Sequence, residues 1–384
     1  MNISGKTYRA LNNVFLRLCL LRRWTSDMSE NKYSELAKQA LNLIITFFLA
    51  CEEENAGKAV NWTNFPKIAI YRAFQKAYVY FDISDNKIER IFEIGGLDLA
   101  EIPKATKTII ERETDEEFSK FICEVTKTRE FWLFKGATKI ATYLELVENE
   151  RNFNDRYFQK SQEIVQNLKE FETIEGFKKF SNPDSSIFRM LETISRLRNQ
   201  NRWTAYARTI DCSVLGHLLD TAIDAYFMSL EIEPDNEEKA TKMFFIGLFH
   251  DIPEAWTKDM PSPFKDSIPG LREASELVEN LMVEEHMFRI LPEYTVKKLK
   301  TLIVDAGEDK QIKPYAKGAD YLSASSECAR QIIGGSRDFN FLRAMQDVDL
   351  KIQIGKVKLP PIANSFHNHL IRIVKEHSHN MIFY

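Results

Sequence analysis

Two histidines and two aspartates in the second half of the chain have types and spacing suited to metal chemistry. They are His217, the adjacent pair His250-Asp251, and Asp320. The pair directly follows an apolar run at 244–249, where a polar group is costly unless it is paired or bound to something. Imidazole nitrogens and carboxylate oxygens suit Mn²⁺, Fe²⁺, Co²⁺, Ni²⁺ or Zn²⁺, and the lack of thiolates argues against structural zinc. The set predicts one divalent metal ion of unassigned identity (Mg²⁺ included), with positions left for water and a phosphate oxygen.

Each ligand candidate also has a purely structural interpretation. His217 lies in the apolar sequence Leu-Gly-His-Leu-Leu, which is typical of a buried core histidine. Asp320 ends the sequence Lys-Gly-Ala-Asp and could cap a helix. Because all four residues are present together, we favour the metal site over these separate structural roles.

Three residues near the ligand set could bind a nucleotide or move a proton. Arg202 offers a planar fork of donors for phosphate oxygens, and Trp203 offers a stacking face for a base. Glu254 follows Asp251 by about one helical turn, so it can face the same side, although Pro253 is predicted to kink or restart the helix. A carboxylate beside a metal-bound water is a candidate general acid or base.

The elements that position these residues are predicted to be helices throughout. The chain of 384 residues has only 14 glycines and 12 prolines and shows little strand-like alternation, which predicts an all-α fold. Apolar residues at helical spacing predict helices at about 8–21, 34–51, 65–81, 117–123 and 134–150. The stretch 95–116 opens on a glycine pair and is predicted to be loop and short helix.

The second half of the chain repeats the first at an interval of about 180 residues. The matched segments are Arg22-Arg23-Trp24-Thr25 with Asn201-Arg202-Trp203-Thr204, Ser34–Lys38 with Ser213–His217, Ala73–Lys76 with Leu248–Asp251, Lys135–Thr138 with Lys317–Asp320, and Arg151–Phe153 with Arg337–Phe339. So long a period predicts duplication of a whole domain rather than a solenoid. We predict a first copy at 1–165, a linker at 166–187, and a second copy with a C-terminal helical extension at 188–384.

The first copy lacks every candidate metal ligand. Where the second copy has its two histidines and two aspartates, the first has Lys38, Gln75, Lys76 and Thr138. Two of these replacements are cations that would repel a metal. The first copy is therefore predicted to be degenerate and the second to carry the chemistry.

The second copy resembles the HD-domain phosphohydrolase superfamily, and within it the 5′-deoxynucleotidase branch. The resemblance covers roughly residues 188–348 and rests on Arg202-Trp203, His217, His250-Asp251, the continuation Glu254-x-x-Thr257-x-Asp259-x-Pro261-x-Pro263, and Asp320. It implies two tandem all-α domains of HD type, one metal held by the four ligands, nucleotide contacts from Arg202 and Trp203, and proton transfer by Glu254. It also implies that Asp259 helps to place the sugar or the nucleophile. Asp259 could instead be a turn residue before the prolines.

Composition excludes several other classes of protein. A formal net charge of −4 gives no basic field for nucleic acid, and the longest apolar stretch, near 41–50, is too short to span a bilayer. The five scattered cysteines form no CxxC pair and are typical of a cytoplasmic chain with reduced thiols. The histidines outside the ligand set, including His286 and His367, are predicted to be solvated.

Two functions follow as hypotheses. The first is a metal-dependent phosphohydrolase that acts on a nucleotide monophosphate or a related small phosphate ester. The second is a non-catalytic sensor of nucleotide or metal, since half of the chain has already lost its ligands. The duplication also predicts a pseudo-dimer within one chain, with further oligomerisation left open. The base, sugar and phosphate number of the substrate do not follow from the sequence.

Overall fold

The fold is all-α, as predicted. A computed structural model describes residues 3–23, 34–152, 158–258, 260, 262–265 and 267–379. Over those ranges the regular structure is helical apart from two isolated β-bridges. Among the described helices, none is long and apolar enough to cross a membrane.

Among the residues that the structure describes before position 186, there are nine α-helices. They are α1 (Gly5–Leu20), α2 (Glu35–Asn55), α3 (Asn64–Gln75), α4 (Asp85–Gly95), α5 (Glu101–Glu113), α6 (Glu116–Cys123), α7 (Arg129–Asn152), α8 (Phe158–Leu168) and α9 (Phe177–Phe180). A π-helical turn at Lys76–Tyr80 continues α3, and 3₁₀ turns follow α6 and α8.

Eleven further helices follow within the described part of the chain. They are α10 (Ser186–Ser195), α11 (Val214–Ile232), α12 (Glu237–Phe249), α13 (Glu254–Thr257), α14 (Ser262–Lys265), α15 (Leu271–Val283), α16 (Glu293–Ile303), α17 (Asp305–Glu308), α18 (Lys313–Ile333), α19 (Asn340–Gln353) and α20 (Pro361–His379). A 3₁₀ turn follows α10, and a π-helical turn at Glu284–Phe288 continues α15.

The region 95–116 contains loop and helix, as predicted, but its helix is longer than expected. The helix α5 fills most of it, and the glycine pair marks only the end of α4. Gly96 caps that end in the left-handed conformation, with φ of 63°, which glycine adopts without a side-chain clash. The helices α4 and α5 are largely exposed and bury few apolar side chains.

The helices α2 and α11 lie against each other at the centre of one core that spans both halves of the chain. Nearly every residue of either helix is buried. Aromatic side chains join the halves; the ring of Phe47 is 4.8 Å from that of Phe249 and 5.1 Å from that of Phe245. The stretch predicted to be a linker also packs against this core, through the buried residues Phe171, Ile174, Phe177 and Phe180.

The two central helices begin in the same way. The Ser34 side chain accepts a hydrogen bond from the Ala37 N–H at the start of α2, and the Ser213 side chain accepts one from the Gly216 N–H at the start of α11. Each capping serine also forms an isolated antiparallel bridge, with Arg22 in the first half and Asn201 in the second. Trp24, Thr25 and Phe153 of the predicted repeat lie outside the described residues.

Gly247, three residues before His250, lets α12 approach α11 closely. A Cβ atom at this position would lie 2.7 Å from Ala222 Cα and 2.9 Å from Thr221 O, both on the backbone of α11. Backbone atoms cannot swing aside as a long side chain can, so only glycine permits this spacing. The close contact fixes the end of α12, where His250 lies, against the helix that carries His217.

Gly247→Ala should therefore destabilise the protein although alanine is the better helix former. We expect a loss of about 1–3 kcal/mol, the usual cost of overpacking a core, measured by denaturant unfolding. Gly95→Ala is the matched control, because its Cβ would meet only the Leu97 side chain at 3.6 Å. The control should keep wild-type stability; an equal loss in both variants would contradict the close-approach explanation.

Candidate metal centre

Three helices bring the four predicted ligands together. His217 lies in the first turn of α11, His250 and Asp251 directly follow α12, and Asp320 lies within α18. Donor atoms of His217, His250 and Asp251 all lie within 4.8 Å of one another. Asp320 Oδ1 is 3.1 Å from His217 Nε2 and 4.0 Å from His250 Nε2. Since Asp320 lies well inside its helix, it is not a helix cap.

The ring of His250 is oriented so that one nitrogen faces the other ligands. Its Nδ1 lies 2.7 Å from the Gly247 carbonyl oxygen, so the proton belongs on Nδ1 and Nε2 keeps its lone pair. His250 Nε2 is buried without a hydrogen bond and lies 3.0 Å from Asp251 Oδ2. A buried lone pair without a hydrogen bond, beside a carboxylate, fits a divalent cation.

His217 is held in the matching orientation by groups on α18. Its Nδ1 lies 3.0 Å from Ser323 Oγ and 3.4 Å from Glu327 Oε1, so a proton on Nδ1 has acceptors on that side. Its Nε2 faces Asp320. The arrangement carboxylate, imidazole, metal is the common one for histidine ligands in proteins.

The carboxylate of Glu327 was missed by the sequence analysis. It is 2 % exposed and lies two helical turns after Asp320, so both carboxylates share one face of α18. Its Oε2 accepts hydrogen bonds from Arg202 Nε at 3.0 Å and from Trp203 Nε1 at 2.8 Å. The spacing along α18 was the available signal, but a glutamate inside a helix is usually a solvated surface residue.

The backbone at Trp203 is strained. Its φ of 59° lies in the left-handed region, which is uncommon for any residue other than glycine and costs about 1–3 kcal/mol. The β-bridge between Asn201 and Ser213 restrains the backbone before Trp203. Next to it, the Arg202 N–H donates to the Cys212 carbonyl at 2.7 Å. The Trp203 ring packs against Tyr206 and Phe341. Backbone and side-chain contacts together hold the indole in one position.

Glu254 is buried and begins α13, which confirms that the helix restarts after Pro253. Its backbone N–H donates to the Asp251 carbonyl at 3.2 Å, so one tight turn separates it from the ligand set. Its own carbonyl accepts from Gln200 Nε2 at 3.3 Å, which connects it to the segment that carries Arg202. Asp259 lies outside the described residues.

The charges of the site shift the pKa values of its members. Burial raises the pKa of Asp251, but when His250 carries a second proton in place of a metal, its charge outweighs burial and holds that pKa below the usual range. Burial likewise opposes ionisation of Asp320, but Lys317 and the two histidines lower its pKa. For His217, burial and Arg202 lower the pKa, yet Glu327 and Asp320 raise it to about 9. Metal binding at His217 would therefore release a proton and weaken as the pH falls.

Among the remaining histidines, His377 is exposed as predicted, but His367 is not. His367 on α20 is fully buried. His286 stacks on Trp256, with ring centroids 6.1 Å apart. The prediction was wrong for His367, because a position near the C-terminus does not reveal that α20 packs against α18.

The sequence of the second half is similar to that of known 5′-deoxynucleotidases. Residues 189–374 match the family model described as YfbR-like, 5′-deoxynucleotidase. The predicted resemblance is thereby confirmed over this part of the chain, which contains all four ligand candidates.

Individual relatives are distant in sequence. A 5′-deoxynucleotidase of Photorhabdus temperata is 23 % identical over 153 residues, which are 39 % of this chain and 77 % of the relative. One of Photobacterium profundum is 26 % identical over 148 residues, 38 % of this chain and 76 % of the relative. One of Pectobacterium atrosepticum is 22 % identical over 162 residues, which are 42 % of this chain and 81 % of the relative. The matches support a phosphohydrolase of the metal-dependent HD-domain family.

His250→Ala should remove the bound metal, because it deletes the one buried nitrogen of the set that makes no hydrogen bond. Metal content after incubation with Mn²⁺ or Co²⁺ and desalting, measured by mass spectrometry, should fall from about one equivalent to near zero. His377→Ala changes an exposed histidine on α20 and should leave metal content unchanged. Full metal content in His250→Ala would exclude this nitrogen as a ligand.

Proposed function

We propose that this protein is a metal-dependent phosphohydrolase that removes phosphate from a nucleotide monophosphate or a closely related small phosphate ester. The observation that carries the proposal is the convergence of His217, His250, Asp251 and Asp320 beside an oriented Arg202-Trp203 pair. The relatives named 5′-deoxynucleotidase support a nucleotide substrate.

Each residue of the site has a chemical part in this proposal. His217, His250, Asp251 and Asp320 would hold one divalent cation. When bound, the cation supplies positive charge that polarises a phosphoryl group and lowers the pKa of water. Arg202 would balance the phosphate charge and Trp203 would stack on the base.

Proton transfer is assigned to Glu254, which is buried and one tight turn from Asp251. A positioned carboxylate of this kind can take a proton from the nucleophile or give one to the leaving group. We keep Asp259 as a proposed group for placing the sugar or the nucleophile, on the resemblance alone.

The test is phosphate release from a panel of ribonucleotide and deoxynucleotide monophosphates with Mn²⁺ or Co²⁺. The wild-type protein should turn over at least one of them. Glu254→Gln should lower kcat by about 10²–10⁴-fold while metal content stays at the wild-type level. The double variant His250→Ala, Asp251→Ala should lose both metal and activity. Tight nucleotide binding without turnover across the whole panel would favour the sensor instead.

We further propose that the first half is a degenerate copy of the second. In support, Lys38 lies at the position that matches His217, and its Nζ lies 2.7 Å from Thr142 Oγ1 and 3.2 Å from Glu145 Oε2. At the position that matches Asp251, Lys76 Nζ pairs with an Asp85 carboxylate oxygen at 2.7 Å. Both amino groups are buried. Internal hydrogen bonds and ion pairs thus fill the space that the second half uses for ligands.

The packing of the halves supports a pseudo-dimer. The equivalent helices α2 and α11 lie against each other, and ion pairs cross the contact: Arg22 with Asp211 at 3.0 Å and Lys67 with Glu237 at 2.6 Å. Removal of the first half would expose the apolar face of α11 that lies on α2. The first copy would therefore stabilise the second without taking part in the chemistry.

Deletion of residues 1–168, which ends where α8 ends, should leave a second half that aggregates or has no activity. The physical reason is the apolar surface of α11 and α12 that the deletion uncovers. Size-exclusion chromatography and phosphate release are the measurements. Coexpression of residues 1–168 as a separate chain should restore a soluble, active complex. A monomeric and fully active fragment would contradict the structural role of the first copy.

A further inference from the structure

Three side chains of the candidate site converge on one carboxylate that is not itself a proposed ligand or acid. Glu327 Oε2 accepts from Arg202 Nε and Trp203 Nε1, and its Oε1 lies 3.4 Å from His217 Nδ1. Glu327 is 2 % exposed. A buried carboxylate with this many donors fixes their positions, because each donor would lose a charge-assisted hydrogen bond by moving.

The described part of the first half contains a similar cluster, with a lysine in place of the histidine. Glu145 lies on α7 at the position that matches Glu327, seven residues after Thr138 as Glu327 is seven after Asp320. Its Oε2 accepts from Arg23 Nη2 at 3.1 Å and lies 3.2 Å from Lys38 Nζ. A buried glutamate therefore anchors an arginine in both halves, and its further partner is His217 in one half and Lys38 in the other.

We infer that Glu327 is the positioning residue of the metal centre: it orients His217 for the metal and holds Arg202 and Trp203 in place for the nucleotide. The inference rests on the proposed function and deepens it. Glu327 would touch neither metal nor substrate. Its effect would pass through His217, whose Nδ1 lies 3.4 Å from Glu327 Oε1, and through the backbone at Trp203, where φ is 59°.

The test compares Glu327→Gln with Glu145→Gln. Both glutamates are buried and each anchors one arginine, so each substitution leaves an arginine short of one carboxylate charge. Glutamine keeps the size of glutamate, but its amide N–H₂ cannot accept the protons that the carboxylate accepts. Glu145→Gln is therefore a control for loss of stability without loss of the metal centre.

Two readouts besides activity are used. Calorimetric titration with Mn²⁺ or Co²⁺ gives the metal affinity, which should weaken about 10–100-fold in Glu327→Gln, the usual effect of losing a partner of a metal ligand. The indole N–H resonance of Trp203, identified by its absence in Trp203→Phe, should shift in Glu327→Gln. Glu145→Gln should match the wild-type protein in both.

Kinetics separate this inference from the proposed function. If the wild-type protein binds metal but hydrolyses no nucleotide, the proposed substrate is wrong, and the titration and the indole resonance still decide the role of Glu327. If the wild-type protein is active, Glu327→Gln should raise KM and lower kcat. Metal affinity and indole resonance equal to those of Glu145→Gln would overturn the inference.

A second variant covers failure of Glu327→Gln to fold. Glu327→Asp keeps the carboxylate but withdraws it by one methylene, so it should weaken metal binding in the same direction and shift the same resonance less. Wild-type metal affinity and an unshifted resonance in a folded Glu327→Asp protein would also overturn the inference. Binding of neither Mn²⁺ nor Co²⁺ by the wild-type protein would remove the metal site and the inference with it.

Discussion

Crowding of charge inside an apolar core is the constraint on which the second half of this protein depends. Two aspartates and two histidines meet where α11, α12 and α18 pack together. Carboxylates so close together repel one another in a medium of low polarity, and each loses hydration. Imidazolium protons or a divalent cation can balance that charge. The close approach of α12 to α11 at Gly247 keeps the groups near enough for one cation to serve all of them.

The two candidate histidine ligands are oriented by contacts with groups that are not themselves ligand candidates. The Gly247 carbonyl accepts a hydrogen bond from His250 Nδ1–H, while Ser323 and Glu327 lie beside His217. These contacts determine which nitrogen of each ring keeps a lone pair. Helix packing thus sets the chemistry of the site through backbone and side-chain hydrogen bonds, and not only through the distances between ligands.

Much of this organisation followed from the sequence. The all-α fold, the ligand set and the helix restart before Glu254 depend on residue types and local spacing, which the sequence displays directly. The role of Glu327 did not follow, because it depends on how α18 faces the segment that carries Arg202. The burial of His367 did not follow from the sequence either, because it depends on how α20 packs against other helices. The full length of α5 within 95–116 did not follow from the sequence, because this helix is largely exposed and buries few residues.

The two halves together show what the scaffold requires and what the chemistry adds. Both keep the capping serine, the bridge before it and the buried pair of arginine and glutamate. A buried glutamate needs cationic partners whether or not a metal is near. In the first half, Lys38 is the second cationic partner of the buried glutamate, Glu145. In the second half, His217 lies beside the buried Glu327 and presents its other nitrogen to Asp320. Under the proposed duplication, this exchange of lysine for histidine is one of the four differences that would separate a self-sufficient ion-pair cluster from a site that accepts an external cation.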